Sequence, residues 1–244
     1  MKPRRQSSGA KAGIYADGMN TPLPRLVLTA SLALGVAPVA TIGLAGCSTS
    51  GNKPAAQRTI DTLDTLQTTL QRGEDTFAAL STHLQTAVSE RADHDTLPPN
   101  LEPQAWFKAF SKQRQQVLDL RDRLAGDLER FRGQRDAYVN AWEQDLTEIS
   151  DPALRDLARK RRDRLGERLQ DTQSNLAEVD QLLRPYLTRL NDLHRFLAND
   201  LTPVGFASLQ GPLKSAATDA GVLGDRFDDL GLEVKVLGND LGRR

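Results

Sequence analysis

The chain contains one cysteine, Cys47, so a single sulfur is available for nucleophilic, metal-ligating or acyl-transfer chemistry, and an intramolecular disulfide is excluded. The three histidines, His83, His94 and His194, have no second histidine four residues on and no cysteine close by. Zinc needs such a clustered set of ligands, so no metal is expected. No GxSxG, HExxH, phosphate-loop or dinucleotide-type glycine pattern occurs, and acid pairs such as Asp228-Asp229 are ordinary on a charged helix. Nothing pairs a nucleophile with a base. The expectation is a protein that is not an enzyme, with no cofactor other than a group carried on Cys47.

Two further sets of residues could make contacts. Arg155 to Arg168 reads RDLARKRRDRLGER, and its Arg159, Arg161 and Arg162 are candidate anion contacts for lipid headgroups, lipopolysaccharide or peptidoglycan. The competing reading is a solvated helix face. Asp156, Asp163 and Glu167 lie within a turn of several of these arginines, and the spacing suits i,i+3 and i,i+4 pairs that neutralise the strip locally. That pairing favours the solvated face. Trp106, Phe107 and Phe110 form one apolar cluster and Tyr138 and Trp142 another, with core packing the default for aromatics at helical spacing; Trp106, off the seam, is also the candidate for an exposed partner contact.

The elements that would carry this chemistry begin with an apolar run. Leu26 to Gly46 reads LVLTASLALGVAPVATIGLAG, without a charge, directly after Arg25. A basic flank, an apolar stretch and small residues before a cut make a secretory signal. The run ends Leu44-Ala45-Gly46-Cys47, which resembles a bacterial lipobox. The resemblance implies a diacylglyceryl group on the Cys47 sulfur, cleavage after Gly46, and acylation of the new amino group. One acyl chain holds a protein on a membrane only marginally, whereas two or three anchor it firmly. The alternative is an uncleaved membrane-spanning helix, since about 20 apolar residues can cross a bilayer. Thr29, Ser31, Gly35, Pro38, Thr41 and Gly43 dilute that segment, and the one cysteine stands where a lipobox requires it. Ser48 follows; the lack of Asp there resembles the sorting pattern for the outer membrane of Gram-negative bacteria. Met19 offers a second start, MNTPLPR, closer to the apolar run. We expect translation to begin there, and a precursor peptide covering Ala10 to Asp17 would contradict this. Arg4-Arg5 is a weak twin-arginine candidate because no apolar run follows at the needed place.

Of 32 basic and 32 acidic residues, five and one fall in residues 1–46, which leaves 27 against 31 and a formal charge of −4 for the remainder. That balance exerts no pull on nucleic acid. Hydrophobic residues make up 39% and aromatics 5%, too few aromatics to suggest a large sandwich or an aromatic-lined pocket.

After a Ser/Gly/Asn/Pro-rich tether, apolar residues recur every three and four positions. Leu63, Leu66, Leu70, Gly73, Phe77, Leu80, Leu84 and Ala87 form one seam, which stops before Asp95-Thr96-Leu97-Pro98-Pro99-Asn100. Phe107, Phe110, Val117, Leu124, Leu128, Phe131, Tyr138, Trp142 and Ile149 form a second, interrupted by Arg114, Arg121 and Arg135. A third helix opens at Pro152, where Ser150 or Asp151 can cap it. Its seam is Leu169, Leu176, Val179, Leu183, Tyr186, Leu190, Leu193 and Leu197, and Pro185 should kink it without ending it. From Thr202-Pro203 a fourth segment carries Leu209, Leu213, Ala216, Ala220, Leu223, Phe227, Leu230, Val234 and Leu237. Gly211, Gly221, Gly224 and Gly231 weaken it, so a fraying helix is expected. Helices of about 45 residues would be roughly 70 Å long.

Ile149 to Arg155, the leucine-flanked Pro185, Asn191-Asp192-Leu193-His194-Arg195-Phe196-Leu197, Asn199-Asp200-Leu201 and Ala207-Ser208-Leu209-Gln210-Gly211 together resemble an uncharacterised family of Gram-negative helical, coiled-coil-like lipoproteins, a domain of unknown function. The ASLQG phrase is the most specific part. The first helix matches in pattern only, and Pro212 and the glycine-rich last segment depart from the family. The resemblance implies class and location and transfers no catalytic residue.

The expected protein is all-α: a lipoprotein signal peptide (1–46), a lipidated tether (47–58) and a helical bundle (59–240). The bundle is elongated and antiparallel, with three long helices and a shorter C-terminal one. It is expected on the periplasmic face of the outer membrane, held by its lipid. The expected role is structural or adaptor, through self-association or an envelope protein partner; the alternative is binding of a lipid or anionic envelope ligand.

Overall fold

The computed structural model describes residues 54–88 and 101–242. Contacts divide the chain into Met1–Ser48 and Thr49–Arg244, and every described helix belongs to the second unit. Met19, Leu44, Ala45, Gly46 and Cys47 lie outside the described residues.

Five helices follow: α1 (Ala55–Thr86), α2 (Pro103–Glu148), α3 (Pro152–Asn199), α4 (Pro203–Ser208) and α5 (Gln210–Gly242). Each long helix forms because its apolar residues fall on one stripe that a neighbour can cover. Every seam residue expected in α1 and α3 is buried, as are all nine expected from Leu209 to Leu237. In α2, Phe110, Val117, Leu124, Leu128, Phe131 and Tyr138 are buried, while Phe107, Trp142 and Ile149 are half-buried.

Boundaries follow local chemistry. Asp151 caps α3, its Oδ1 accepting from the backbone N–H groups of Ala153 (2.8 Å) and Leu154 (3.3 Å), and Pro152 follows in the first turn, where its missing N–H costs nothing. Arg155 donates twice to the carbonyl of Ile149 and so closes the short α2–α3 connection. Thr202 caps α4, and Pro212 falls in the first turn of α5, where it is harmless. The α4–α5 joint at Leu209 turns Gln210 back onto α1, where its amide donates to the Ala87 carbonyl at 2.9 Å.

The helices run antiparallel in sequence around a ring: α1 packs on α2 and α5, and α3 packs on α2 and α5. Thr59 meets Gln134 and His83 meets Trp106 across α1–α2; Arg114 meets Asn191 across α2–α3; Tyr186 meets Ala216 across α3–α5; Ser81 meets Ala217 across α1–α5. One continuous core of Leu, Phe, Val and Ala fills the ring.

Three expectations are corrected. The tether was expected to run to residue 58, but Ala55–Arg58 are already helical, because Thr59 is buried and its hydroxyl donates to the Ala55 carbonyl at 3.0 Å. The last segment does not fray: α5 is continuous to Gly242, including 232–237, and matches α1 in length at 33 against 32 residues. Of its glycines, Gly221, Gly224 and Gly231 face α1, against Ser81, Phe77 and Leu70. A Cβ at Gly73 would fall inside the Phe227 ring, and Gly224 sits over Phe77. Thirdly, Arg114 and Arg135 do not disturb the α2 seam. Arg114 Nε donates to Asn191 Oδ1 at 2.7 Å and Arg135 reaches Gln170, so both tie α2 to α3.

Candidate functional site

The two ends of the bundle differ in composition. At the end where α1 and α2 meet across residues 86–102, Trp106 is only 5% exposed. Its indole stacks on His83 (4.7 Å between centroids) and Phe110 (5.3 Å) and meets Phe206 edge-on (5.3 Å). Its Nε1–H donates to the His83 carbonyl (3.2 Å) and the Thr86 hydroxyl (3.1 Å), two groups at the C-terminal turn of α1. Of the two readings of Trp106, core packing holds and the exposed partner contact is corrected: the residue closes this end of the core and caps α1. His83 is half-buried, and burial lowers its pKa against a smaller raising effect of its hydrogen bond to the Trp106 carbonyl. His194, against Phe107 and near Arg114, is lowered first by burial and then by that arginine's charge. Among the described residues no three His, Cys, Asp or Glu side chains are grouped to hold a metal ion, and His94 lies outside them.

Among the described residues, α2 and α3 reach farthest at the opposite end. Pro54, Ala55 and Ala56, at the start of α1, line a groove with Tyr138, Ala141, Trp142, Asp145 and Arg161. At the other flank, Arg168 pairs with Asp240, two residues before α5 ends. Beyond those levels α2 and α3 continue as a two-helix hairpin to Glu148 and Pro152. Pro152–Glu167 rises roughly 24 Å at about 1.5 Å per residue. Leu146 is buried between the two helices, and Arg162 pairs with Glu143 across them.

The arginine strip occupies this hairpin, and its members have different fates. Arg159 pairs with Asp156 (3.2 Å) and stays half-exposed. Arg162 is largely covered, at 19% exposure, and engages Asp163 (2.6 Å) as well as Glu143. Both follow the solvated or structural reading. Arg161 is exposed and makes no ion pair among the described residues. With Arg164, Leu165, Arg168 and Asp240 it lines a second groove, of about 540 Å³. Arg164 donates only to the Lys160 carbonyl, at 3.3 Å.

A pattern unnoticed in the sequence links these free arginines. Leu154, Leu157, Arg161, Arg164 and Arg168 alternate by three and four and so share one face of α3. This face turns toward α5 lower down, at Arg168, and loses that neighbour where α5 ends. Leu154 and Leu157 are accordingly 57% and 62% exposed. Asp156, Asp163 and Glu167 share a different face, roughly 100° around the helix. The strip is therefore segregated rather than uniformly neutralised: acids on one side, and an apolar and basic stripe on the other. The signal was present in the 3-4 spacing, but its meaning depends on where α1 begins and α5 stops.

Among the described residues no helix is long and apolar enough to cross a membrane. Comparison with protein-family models, curated proteins and solved structures finds no match for the chain.

Proposed function

We propose that this protein is a lipid-anchored bacterial envelope lipoprotein whose helical body serves as a structural or adaptor element in the periplasm. The observation that carries the reading is the single cysteine at the end of Leu44-Ala45-Gly46-Cys47, after an uncharged apolar run and eight residues before α1 opens at Ala55. The physical logic is that acyl chains on one residue provide the anchor, and a rod built on long helices projects binding faces from it. The resemblance to helical lipoproteins of the Gram-negative outer membrane supports the same placement. With no nucleophile–base pair in the sequence, binding rather than turnover is the role that fits.

The test is on Cys47. Wild-type chain expressed in a Gram-negative host should fractionate with membranes, and mass spectrometry of its N-terminal peptide should show an acylated cysteine following loss of residues up to Gly46. Cys47→Ser should abolish both. Cleavage elsewhere, or a Cys47→Ser chain still processed and membrane-held, would overturn the reading. Crosslinking in intact cells would then identify the partner.

A second reading, binding of an anionic or lipid ligand of the envelope, is favoured by one observation: the unpaired Arg161 and Arg164 beside exposed Leu154 and Leu157.

A further inference from the structure

We propose that the free end of the α2–α3 hairpin docks on the membrane that holds the anchor, with Leu154 and Leu157 entering the headgroup region and Arg161 and Arg164 contacting the phosphates of anionic phospholipids; this rests on the lipid-anchor reading of Cys47.

Three observations converge on that surface. First, its composition is what an interfacial segment needs: exposed leucines at one end of a helix face and arginines along the rest. Arginine carries a planar set of donors suited to phosphate oxygens. Leu154 and Leu157 sit toward the tip, and Arg161, Arg164 and Arg168 follow toward the body. That order matches depth in a membrane surface, apolar groups deepest and cations at the phosphates. The acids near the stripe stand at its margins. Asp145 lines the groove on the α1 side of Arg161, and Asp240 is taken up by Arg168.

Second, no helix among the described residues covers this face at Leu154 and Leu157. The same side of α3 is covered by α5 farther along, through Arg168–Asp240, Thr172–Glu233 and Asn175–Glu233. Leu154 and Leu157 lie beyond Gly242, the last described residue of α5, whereas Arg161 borders the groove that Asp240 also lines.

Third, chain length brings the membrane to this end. Pro54, the residue before α1, lies in the same groove as Arg161. Seven peptide units join Cys47 to Pro54, which span at most about 25 Å fully extended. The hairpin projects beyond the start of α1 by less, since Arg161, level with Pro54, stands nine residues from Pro152, roughly 14 Å on the α-helical rise. The reach of the tether therefore exceeds the projection of the tip, so the lipid on Cys47 and the hairpin tip can meet one membrane surface together. Juxtamembrane arginines shift such an equilibrium by about fivefold each on anionic lipid.

The experiment uses the lipidated chain carrying Leu157→Cys, with an environment-sensitive fluorophore on the new thiol while the lipid blocks Cys47. Vesicles are phosphatidylcholine alone, or phosphatidylcholine partly replaced by phosphatidylglycerol. The expected result is flotation with both kinds of vesicle and a blue shift of the label only with phosphatidylglycerol. A label at Val204→Cys, on α4 at the opposite end, should not shift. Arg161→Glu with Arg164→Glu should leave flotation intact and weaken docking about thirtyfold or more. The milder Arg161→Gln with Arg164→Gln should lower it in the same direction and guards against a folding defect, which circular dichroism would reveal. Raising salt from about 0.1 to 1 M, which shortens the Debye length from about 10 to 3 Å, should weaken docking further. Flotation with equal label spectra on both lipids would overturn the proposal. So would a blue shift that survives charge reversal, or one already present in detergent without vesicles, which would assign the stripe to the chain's own tether. Loss of the shift on adding inorganic phosphate at constant ionic strength would identify a site for free anions instead. A chain that floats with neither vesicle overturns the anchor reading, and this inference with it.

Discussion

A Cβ added at Gly73 would occupy the space of the Phe227 ring, while one added at Gly224 would meet the Cβ of Phe77 at 3.6 Å, an ordinary contact. The two glycines therefore act differently although both sit in the α1–α5 contact. Phe227 needs Gly73 as its socket: it is fully buried, and its ring lies 5.4 Å from that of Phe77. Gly73→Ala would regain about 1 kcal/mol of helix propensity but force the ring out of a packed core, an overpacking cost of about 1–3 kcal/mol or more. Urea denaturation should show Gly73→Ala destabilised, and Gly224→Ala unchanged or stabilised by up to about 1 kcal/mol. Equal effects at the two positions would mean that close helix approach is not what these glycines provide. Asp127 shows the same dependence on a neighbour. Its buried carboxylate accepts from the Thr69 hydroxyl at 2.6 Å and pairs with Arg130. A carboxylate tolerates burial only with such partners, so an acid on an apolar seam is a consequence of Thr69 one helix away.

At the scale of elements, most of the bundle was legible because the apolar period alone determines which face each helix buries. The α1, α3 and α5 seams are buried residue for residue, and Asp151 and Pro152 mark the start of α3. What escaped was information held between helices. Trp106 falls off the α2 stripe, so periodicity left it outside, but the C-terminal turn of α1 supplies its hydrogen-bond partners. Gly221, Gly224 and Gly231 of α5 read as weak helix formers because the α1 residues they face, Ser81, Phe77 and Leu70, lie far away in sequence. The arginine strip read as self-neutralising because pairs can be counted along one helix, whereas its exposed stripe is created by the end of α5. The hairpin tip also carries a testable consequence. Among the described residues, 146–157 are supported only by the other arm of the hairpin, and the rest of α2 and α3 also by α1 or α5. Local opening should be easier where fewer apolar contacts must be broken. In hydrogen exchange, amides of 146–157 should exchange well before those around Leu176 and Leu190, and vesicle docking should slow the tip selectively. Uniform protection along α3 would contradict this picture of the tip.

For the molecule as a whole, both described histidines sit at the end away from the hairpin, packed on Trp106, Phe107 and Phe110. His83 donates from Nε2 to the Trp106 carbonyl at 3.1 Å, since a carbonyl can only accept. Burial lowers both pKa values below 6.5, and Arg114 adds to the lowering at His194. In the unfolded chain both return to about 6.5, so between the folded and unfolded values the unfolded state binds more protons. Stability from these two sites is present in full above 6.5 and is lost as pH falls from there toward the folded values. Asp200 belongs to a separate window: hydrogen bonds from Thr202 lower its pKa below 3.8, so its contribution is present above that value and disappears in stronger acid. Because one continuous core joins the two ends, loosening the histidine end should lower the cooperative melting temperature of the bundle rather than fray a single helix. Thermal melts should therefore show Tm falling between about pH 7 and pH 5. His83→Gln with His194→Gln should flatten that slope while leaving the decline below pH 3.8 in place. A Tm that rises on acidification through this range, or a slope unchanged in the double variant, would show that the neutral imidazoles do not hold this end of the molecule together.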